Sequence, residues 1–451
     1  MDWFMAEPAR RTAARSLRIL RERRGWSWAD EARAIKHAAR VLSVSAVAQT
    51  ALASLVRTIA RWEREEKSIV PGERYRFLLG YVYACHGDDV LTGPGSDFDE
   101  LMSAFAGYGV SDERISELRD QIASMPSRCQ STSIFLPPGL ARDVSRTLAA
   151  PETLSDELVA RIHQSVLEVN SRIGDVPFTR LQLALAPAVE ASRLLVAVKP
   201  PGPIRTRLAR TAANTFMIAA RIAFEVRDDD VSTEMYARAL GAGRSLPLWE
   251  QAAIRTSQAL VTLYSTRDVS AARAVADLAV RDAGRSDSRI MRSRAHALQA
   301  EMAARSRREK HALAGLNLAW CEAQATADAD PAAGRFTIGY LEGFEGACNL
   351  HLGRTTEAEP QLLRSVTSLD HPRQIVQRAI VTADLALARL RNGAPDSAAE
   401  LLHDCVNMAA TARARVSCLR IAQTRRELRP WRTEPFVADL DDHINETLLN
   451  A

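Results

Sequence analysis

A chain of 451 residues, 47% hydrophobic and 25% charged, is long enough for two or three domains with buried cores. No apolar run approaches the roughly 20 residues needed to cross a bilayer, and the opening MDWFMAEPAR lacks the apolar stretch of a secretory leader. A cytoplasmic protein without membrane contact is expected. The net charge of +4 is unevenly spread: residues 1–80 hold 16 Lys and Arg against nine Asp and Glu, net +7, which leaves −3 for the remainder. Such an end implies an anionic partner there and not elsewhere.

Periodicity is helical almost throughout, and strand-like alternation is never sustained, so the fold class is expected to be all-α. The first helix is predicted over 13–24, with Ala13, Leu17 and Leu20 as its apolar stripe and Gly25 as its stop. Ser27 is placed to cap the second helix, with Asp30 at the third position of a capping box. That helix buries Ala32, Ile35, Ala39 and Leu42. The third contains SLVRTIARWEREE, residues 54–66. Leu55, Ile59 and Trp62 lie on one face, extended upstream by Leu52, and Ser54, Arg57, Thr58 and Arg61 lie on the other. A fourth, RYRFLLGYVYA, turns Tyr75, Leu78, Leu79 and Val82 inward. The expected domains are a helix-turn-helix unit over 1–87, a linker with a short helix over 88–140, and a helical repeat region over 141–451. The linker is read from the Gly, Pro and acids of HGDDVLTGPGSDFDE.

Short helices in a basic segment suit a helix-turn-helix, which holds one helix rigidly and presents its polar face to the major groove. Arg57 can fork onto guanine O6 and N7. Ser54 and Thr58 can reach bases or phosphates. Arg61, Arg64 and Lys67 lie further along and can neutralise phosphates.

LRILRERRGWS and TIARWERE resemble the two signature stretches of the lambda-repressor-like (XRE/Cro) helix-turn-helix family, and more narrowly the large actinobacterial regulators that join such a domain to a long helical region. The resemblance implies that Val56, Arg57 and Thr58 sit at the groove-facing start of the recognition helix. It also implies that Trp62 is core and that Glu63 pairs with Arg21 or Arg18 of the first helix. The chain departs from the pattern at Trp28, where the family carries a phosphate-contacting Gln, and in the long segment RVLSVSAVAQTALAS before the third helix.

Beyond residue 230 a pattern repeats: a small residue, a larger residue four positions on, and a small residue three further. It occurs at Ser232/Tyr236/Ala239, at Ala272/Ala276/Ala279, where the middle residue is itself small, and at Ala312/Leu316/Ala319, Ala358/Leu362/Ser365 and Ala398/Leu402/Cys405, with starts 40, 40, 46 and 40 residues apart. In the last two copies Gly353 and Gly393 stand five residues ahead and permit a turn between two helices. Stacked helix pairs of this period form an α-solenoid resembling tetratricopeptide repeats, somewhat longer than the usual 34 or so residues. Tyr340, Phe344 and Asn349 are candidate inner-face residues for binding a ligand. The spaced glycines of GYLEGFEGACNLHLG fit close helix packing better than ligand binding.

No P-loop, GxGxxG, HExxH, GxSxG or zinc pattern is present, so no enzyme, cofactor or metal is expected. The six cysteines are scattered and read as reduced, buried small residues. Four histidines, His296, His311, His351 and His403, are dispersed and propose no site. The expected function is a transcriptional regulator that binds double-stranded DNA as a homodimer. Its repeat domain would sense a peptide, small molecule or partner protein. The competing reading is a repeat-protein interaction scaffold with a degenerate helix-turn-helix.

Overall fold

Helices carry most of the described residues in the computed structural model, which describes residues 3–42, 44–66, 68–86, 89–123, 136–198, 200, 202–325 and 329–449. Among the described residues the only strands are Cys85–His86 (β1) and Asp89–Val90 (β2), an antiparallel two-residue ladder with Cys85 opposite Val90. No helix among these residues is long and apolar enough to cross a membrane. The chain divides into two compact units, one of residues 1–158 with 193–200, the other of residues 159–192 with 201–451.

The first unit contains α1 (Trp3–Arg23), α2 (Trp28–Val41), α3 (Ser45–Ala48), α4 (Leu52–Trp62), α5 (Glu73–Ala84), α6 (Asp97–Gly107), α7 (Asp112–Ala123) and α8 (Pro138–Ala149). Helix α1 starts well before the predicted 13. Residues 7–12 are exposed and carry no apolar stripe, so periodicity registers only the buried part, Ala13, Ala14, Leu17 and Leu20. It ends at Gly25, whose φ of +67° is cheap for glycine alone. Ser27 caps α2 by accepting the Asp30 N–H at 3.2 Å, while Asp30 accepts the Ser27 N–H at 2.9 Å. The long segment before α4 folds as the single turn α3, with Val44 and Val47 buried. This resolves where the third predicted helix begins: at Leu52.

Residues 88–140, read from composition as a linker, supply α6 and α7 to the first unit. Phe98, Leu101, Met102 and Phe105 of α6 are fully buried. Gly107 lets α6 approach α1 closely, since a Cβ there would lie 3.1 Å from that of Ala13. The basic end of α1 meets the acidic start of α6 through Arg24–Asp97 at 2.8 Å and Arg23–Glu100 at 2.9 Å. Arg24 also donates to the carbonyls of Val82 and Tyr83, satisfying the end of α5.

Two of the three divisions between units fall within α9 (Asp156–Ser171) and α10 (Phe178–Val196), and the third follows Pro200. The second unit continues with five helix pairs. These are α11 (Ile204–Glu225) with α12 (Asp229–Ala242), α13 (Leu248–Thr266) with α14 (Val269–Gly284), α15 (Arg289–Arg305) with α16 (Glu309–Gln324), α17 (Ile338–Leu352) with α18 (Thr355–Ser368), and α19 (Ile375–Arg391) with α20 (Pro395–Ala412). Helix α21 (Arg415–Glu427) then packs on α19, and α22 (Pro435–Ile444) on α20.

Each copy of the small–large–small pattern lies on the second helix of its pair, and all fifteen residues are buried, none more than 3% exposed. The residue five positions ahead is left-handed in every pair: Arg227, Arg267 and Arg307 at φ 64°, 57° and 55°, and Gly353 and Gly393 at 84° and 90°. The glycines of α17 serve close packing. A Cβ on Gly339 would lie 2.6 Å from that of Ser368, and one on Gly346 would lie 2.5 Å from Cγ of Leu362.

The row of pairs closes on itself. Arg415, at the start of α21, donates its backbone N–H to Glu225 at 2.6 Å and its guanidinium to Asp229 and to the Phe224 carbonyl at 2.6 and 3.1 Å. These contacts join residues nearly 190 positions apart and bring the last inner helix back to the first.

Candidate nucleic-acid interface and cavity

Helix α4 divides as its sequence requires. Leu55, Ile59 and Trp62 are buried at 0–3% exposure, a stripe worth roughly 1.5–3 kcal/mol per side chain. Leu52 departs from the expectation. It is 36% exposed because it occupies the first position of the helix, beyond the reach of α2. Its neighbours Ala51 and Ala53 are exposed too, and no side chain caps this end.

The opposite face carries Arg57 and Arg61, both exposed, with Ser54, Val56 and Thr58 partly exposed beside them. Arg57 donates to the Ser54 hydroxyl at 3.0 Å, which holds the side chain along the helix, and Thr58 donates to the Ser54 carbonyl at 3.0 Å. Among the described residues Arg57, Arg61 and Arg64 form no ion pair, so their charge is free for an external anion. Lys67 lies outside the described residues.

Several devices set the angle of α4. Arg21 donates two parallel hydrogen bonds to Glu63 at 2.7 and 2.8 Å, with both side chains buried. This fork–fork geometry fixes orientation as well as distance. Burial works against the charge on Arg21, but the hydrogen bond to Glu63 outweighs it and raises the guanidinium above its ordinary range. Arg18, the alternative partner, binds Glu65 instead, as does Arg15 at 3.0 Å. Trp28 donates its indole N–H to Glu63 at 2.7 Å while leaving 44% of its surface exposed. The residue that departs from the family pattern thus joins the α1–α4 lock. The hydroxyl of Tyr108, the residue that ends α6, donates to the Trp62 carbonyl, and Tyr75 of α5 meets the Trp62 ring edge-on at 5.0 Å. Tyr75 is half-buried rather than fully inward.

Sequence reading missed a second basic row, Arg33, His37 and Arg40, exposed on α2 at helical spacing. The three form an i, i+4, i+7 series in the sequence, on the outer face of α2 away from its apolar stripe.

In the second unit the six inner helices α11, α13, α15, α17, α19 and α21 surround a cavity of about 320 Å³. Tyr340 and Phe344 line it together with Phe336, whose ring centroid lies 6.0 and 5.9 Å from theirs. Asn349 does not. It is 6% exposed and donates to Gln361 of α18 at 3.3 Å, so it serves the helix pair.

Among the described residues no group of three or more His, Cys, Asp or Glu could hold a metal. Cys348 and Cys405 are buried free thiols, whereas Cys321 is exposed, against expectation, at the outer surface of α16. Cys129 lies outside the described residues. His403 is not isolated: its ring stacks on that of His443 at 4.9 Å, and their Nδ1 atoms are 2.7 Å apart. In comparisons with known proteins, no family model, no curated protein and no solved structure matches the chain.

Proposed function

We propose that the chain is a sequence-specific, DNA-binding transcriptional regulator of the cytoplasm. In this reading the first unit is a lambda-repressor-like helix-turn-helix domain, and α4 enters the major groove. The second unit is a tetratricopeptide-like α-solenoid that binds an effector or a second copy of the chain, and a homodimer reads a pseudo-palindromic site. One observation carries the reading. Helix α4 is locked through Arg21–Glu63 at its inner side and offers the unpaired Arg57 and Arg61 on its outer side. A rigid helix with free guanidinium groups is the requirement for reading base edges.

The test is binding of the full chain to duplexes chosen by selection, followed against salt concentration. The regulator reading expects log affinity to fall steeply with log salt, by about 0.9 per phosphate neutralised. Arg57→Ala should cost about 1–3 kcal/mol on preferred sites and little on others. A protein–protein scaffold is favoured instead by the apolar, uncapped start of α4, where Ala51, Leu52 and Ala53 are exposed. Equal affinity for all duplexes at every salt concentration would overturn the regulator reading.

A further inference from the structure

The cavity of the second unit has an unbalanced lining. Five arginines reach it: Arg221, Arg294, Arg335, Arg373 and Arg420. Three acids, Glu225, Glu301 and Asp384, stand against them. Each acid already has a partner. Asp384 lies 3.2 Å from Arg420, Glu301 accepts from Arg305 at 2.7 Å, and Glu225 accepts the Arg415 N–H at 2.6 Å. Arg420 is further held by the Tyr264 hydroxyl at 3.0 Å.

Four guanidinium groups remain, those of Arg221, Arg294, Arg335 and Arg373. Among the described residues none makes a side-chain hydrogen bond or an ion pair. Arg335 only stacks over Trp249 at 5.3 Å. Burial raises the Glu225 carboxyl above its ordinary range, and the nearby charge of Arg221 only partly opposes this. Burial pulls Arg294 down to about 10, and the nearby charges of Arg221 and Arg335 pull it in the same direction. Arg221, Arg335 and Arg373 are exposed at the rim and Arg294 is partly buried; gathering like charges around one partly enclosed space still costs free energy unless an opposite charge occupies it. Most of the remaining wall is apolar: the Phe336, Tyr340 and Phe344 rings face the space with Leu260, Val261 and Val381, and Ser257 and Gln377 are among its polar members.

We propose that this cavity binds a small organic anion, with a carboxylate, sulfonate or phosphate group held by Arg221, Arg294 and Arg335 and an apolar body against Phe336, Tyr340 and Phe344. The volume lies at the lower end of the range for small-molecule sites, which fits one compact ligand rather than a folded partner. The lining comes from all six inner helices, so an occupant bridges the ring where Arg415 closes it. As an effector such a ligand rests on the regulator reading. As a ligand it does not.

The test titrates the full chain with 8-anilinonaphthalene-1-sulfonate, an aromatic anion that fluoresces on binding, and in parallel with the uncharged N-phenyl-1-naphthylamine. Saturable one-to-one binding of the sulfonate is expected, with the neutral probe at least roughly tenfold weaker. Arg294→Gln and Arg335→Gln should each weaken the sulfonate by roughly tenfold and leave the neutral probe unchanged. Arg432→Gln, outside the cavity, should change neither. Arg335 is exposed at the rim, so its variant keeps the test interpretable should Arg294→Gln fail to fold. Equal binding of the two probes, or sulfonate binding indifferent to both substitutions, overturns the proposal. DNA binding plays no part in these readouts. A failed regulator reading would therefore appear in the duplex titrations alone.

Discussion

Glu31 shows how much a single side chain can carry. It lies on α2 with 4% of its surface exposed, receives the Tyr83 hydroxyl at 2.8 Å on one oxygen, and has no hydrogen-bond partner on the other. Burial pushes its carboxyl up to about 7; the Tyr83 hydrogen bond works against this and the nearby Glu63 charge works with it. The folded value therefore exceeds the unfolded value of 4.5. As pH rises from 4.5 to 7 the unfolded chain releases this proton while the folded chain retains it. The stability linked to Glu31 is thus complete below 4.5 and lost across that window, by about 3 kcal/mol in all. In Glu31→Gln the charge is gone and Tyr83 keeps an acceptor. Amide exchange in α2 and α5, corrected for intrinsic rates, should lose protection by roughly a hundredfold between pH 5 and 8 in the natural chain and stay nearly constant in the variant. A variant with the same pH dependence would assign the effect to another group. Nothing in the sequence around Glu31 marked it, because its environment is made by Tyr83, 52 positions away.

At the scale of elements, the turns between paired helices carry a cost that is absent from two of the five. Gly353 and Gly393 take the left-handed conformation freely, whereas Arg227, Arg267 and Arg307 hold it against a Cβ penalty of about 1–2 kcal/mol. Arg267→Gly should stabilise the second unit by about 0.5–1 kcal/mol, since the relief exceeds the added entropy of the unfolded chain. A higher urea midpoint checks this, and a lower one would show that the Arg267 side chain does more than fill a turn. The repeat period was legible because the small residues recur where the second helix presses on the first. The turns of the first three pairs were not, because arginine gives no sign that it will adopt a glycine conformation. The stripe of α4 was legible for the same reason as the repeats, and Leu52 escaped it because a periodic position at a helix end has no neighbour to cover it. A short helix within residues 88–140 was legible, but the acidic, Gly-rich lead-in hid that Phe98, Leu101, Met102 and Phe105 of α6 belong to the core of the first unit.

For the whole molecule, the two units divide the work that the regulator reading requires. The first holds free arginines on a braced helix, and the second encloses a cationic, aromatic-lined space. The cavity residues on the six helices are spread over some 200 positions, and only closure of the ring through Arg415 gathers them. Tyr340 and Phe344 could be placed there from the repeat phase alone. The arginines could not, because in sequence they resemble the many other arginines of solvated helix faces. The central claim is that α4 reads sequence, and charge alone would retain DNA of any sequence. The most direct measurement is therefore sequencing of the genomic fragments retained by the full chain at near-physiological salt, beside those retained by Arg57→Ala. The regulator reading predicts a shared, two-fold-related motif enriched by the natural chain and degraded in the variant. Fragments without a common motif, retained equally by both proteins, would contradict it.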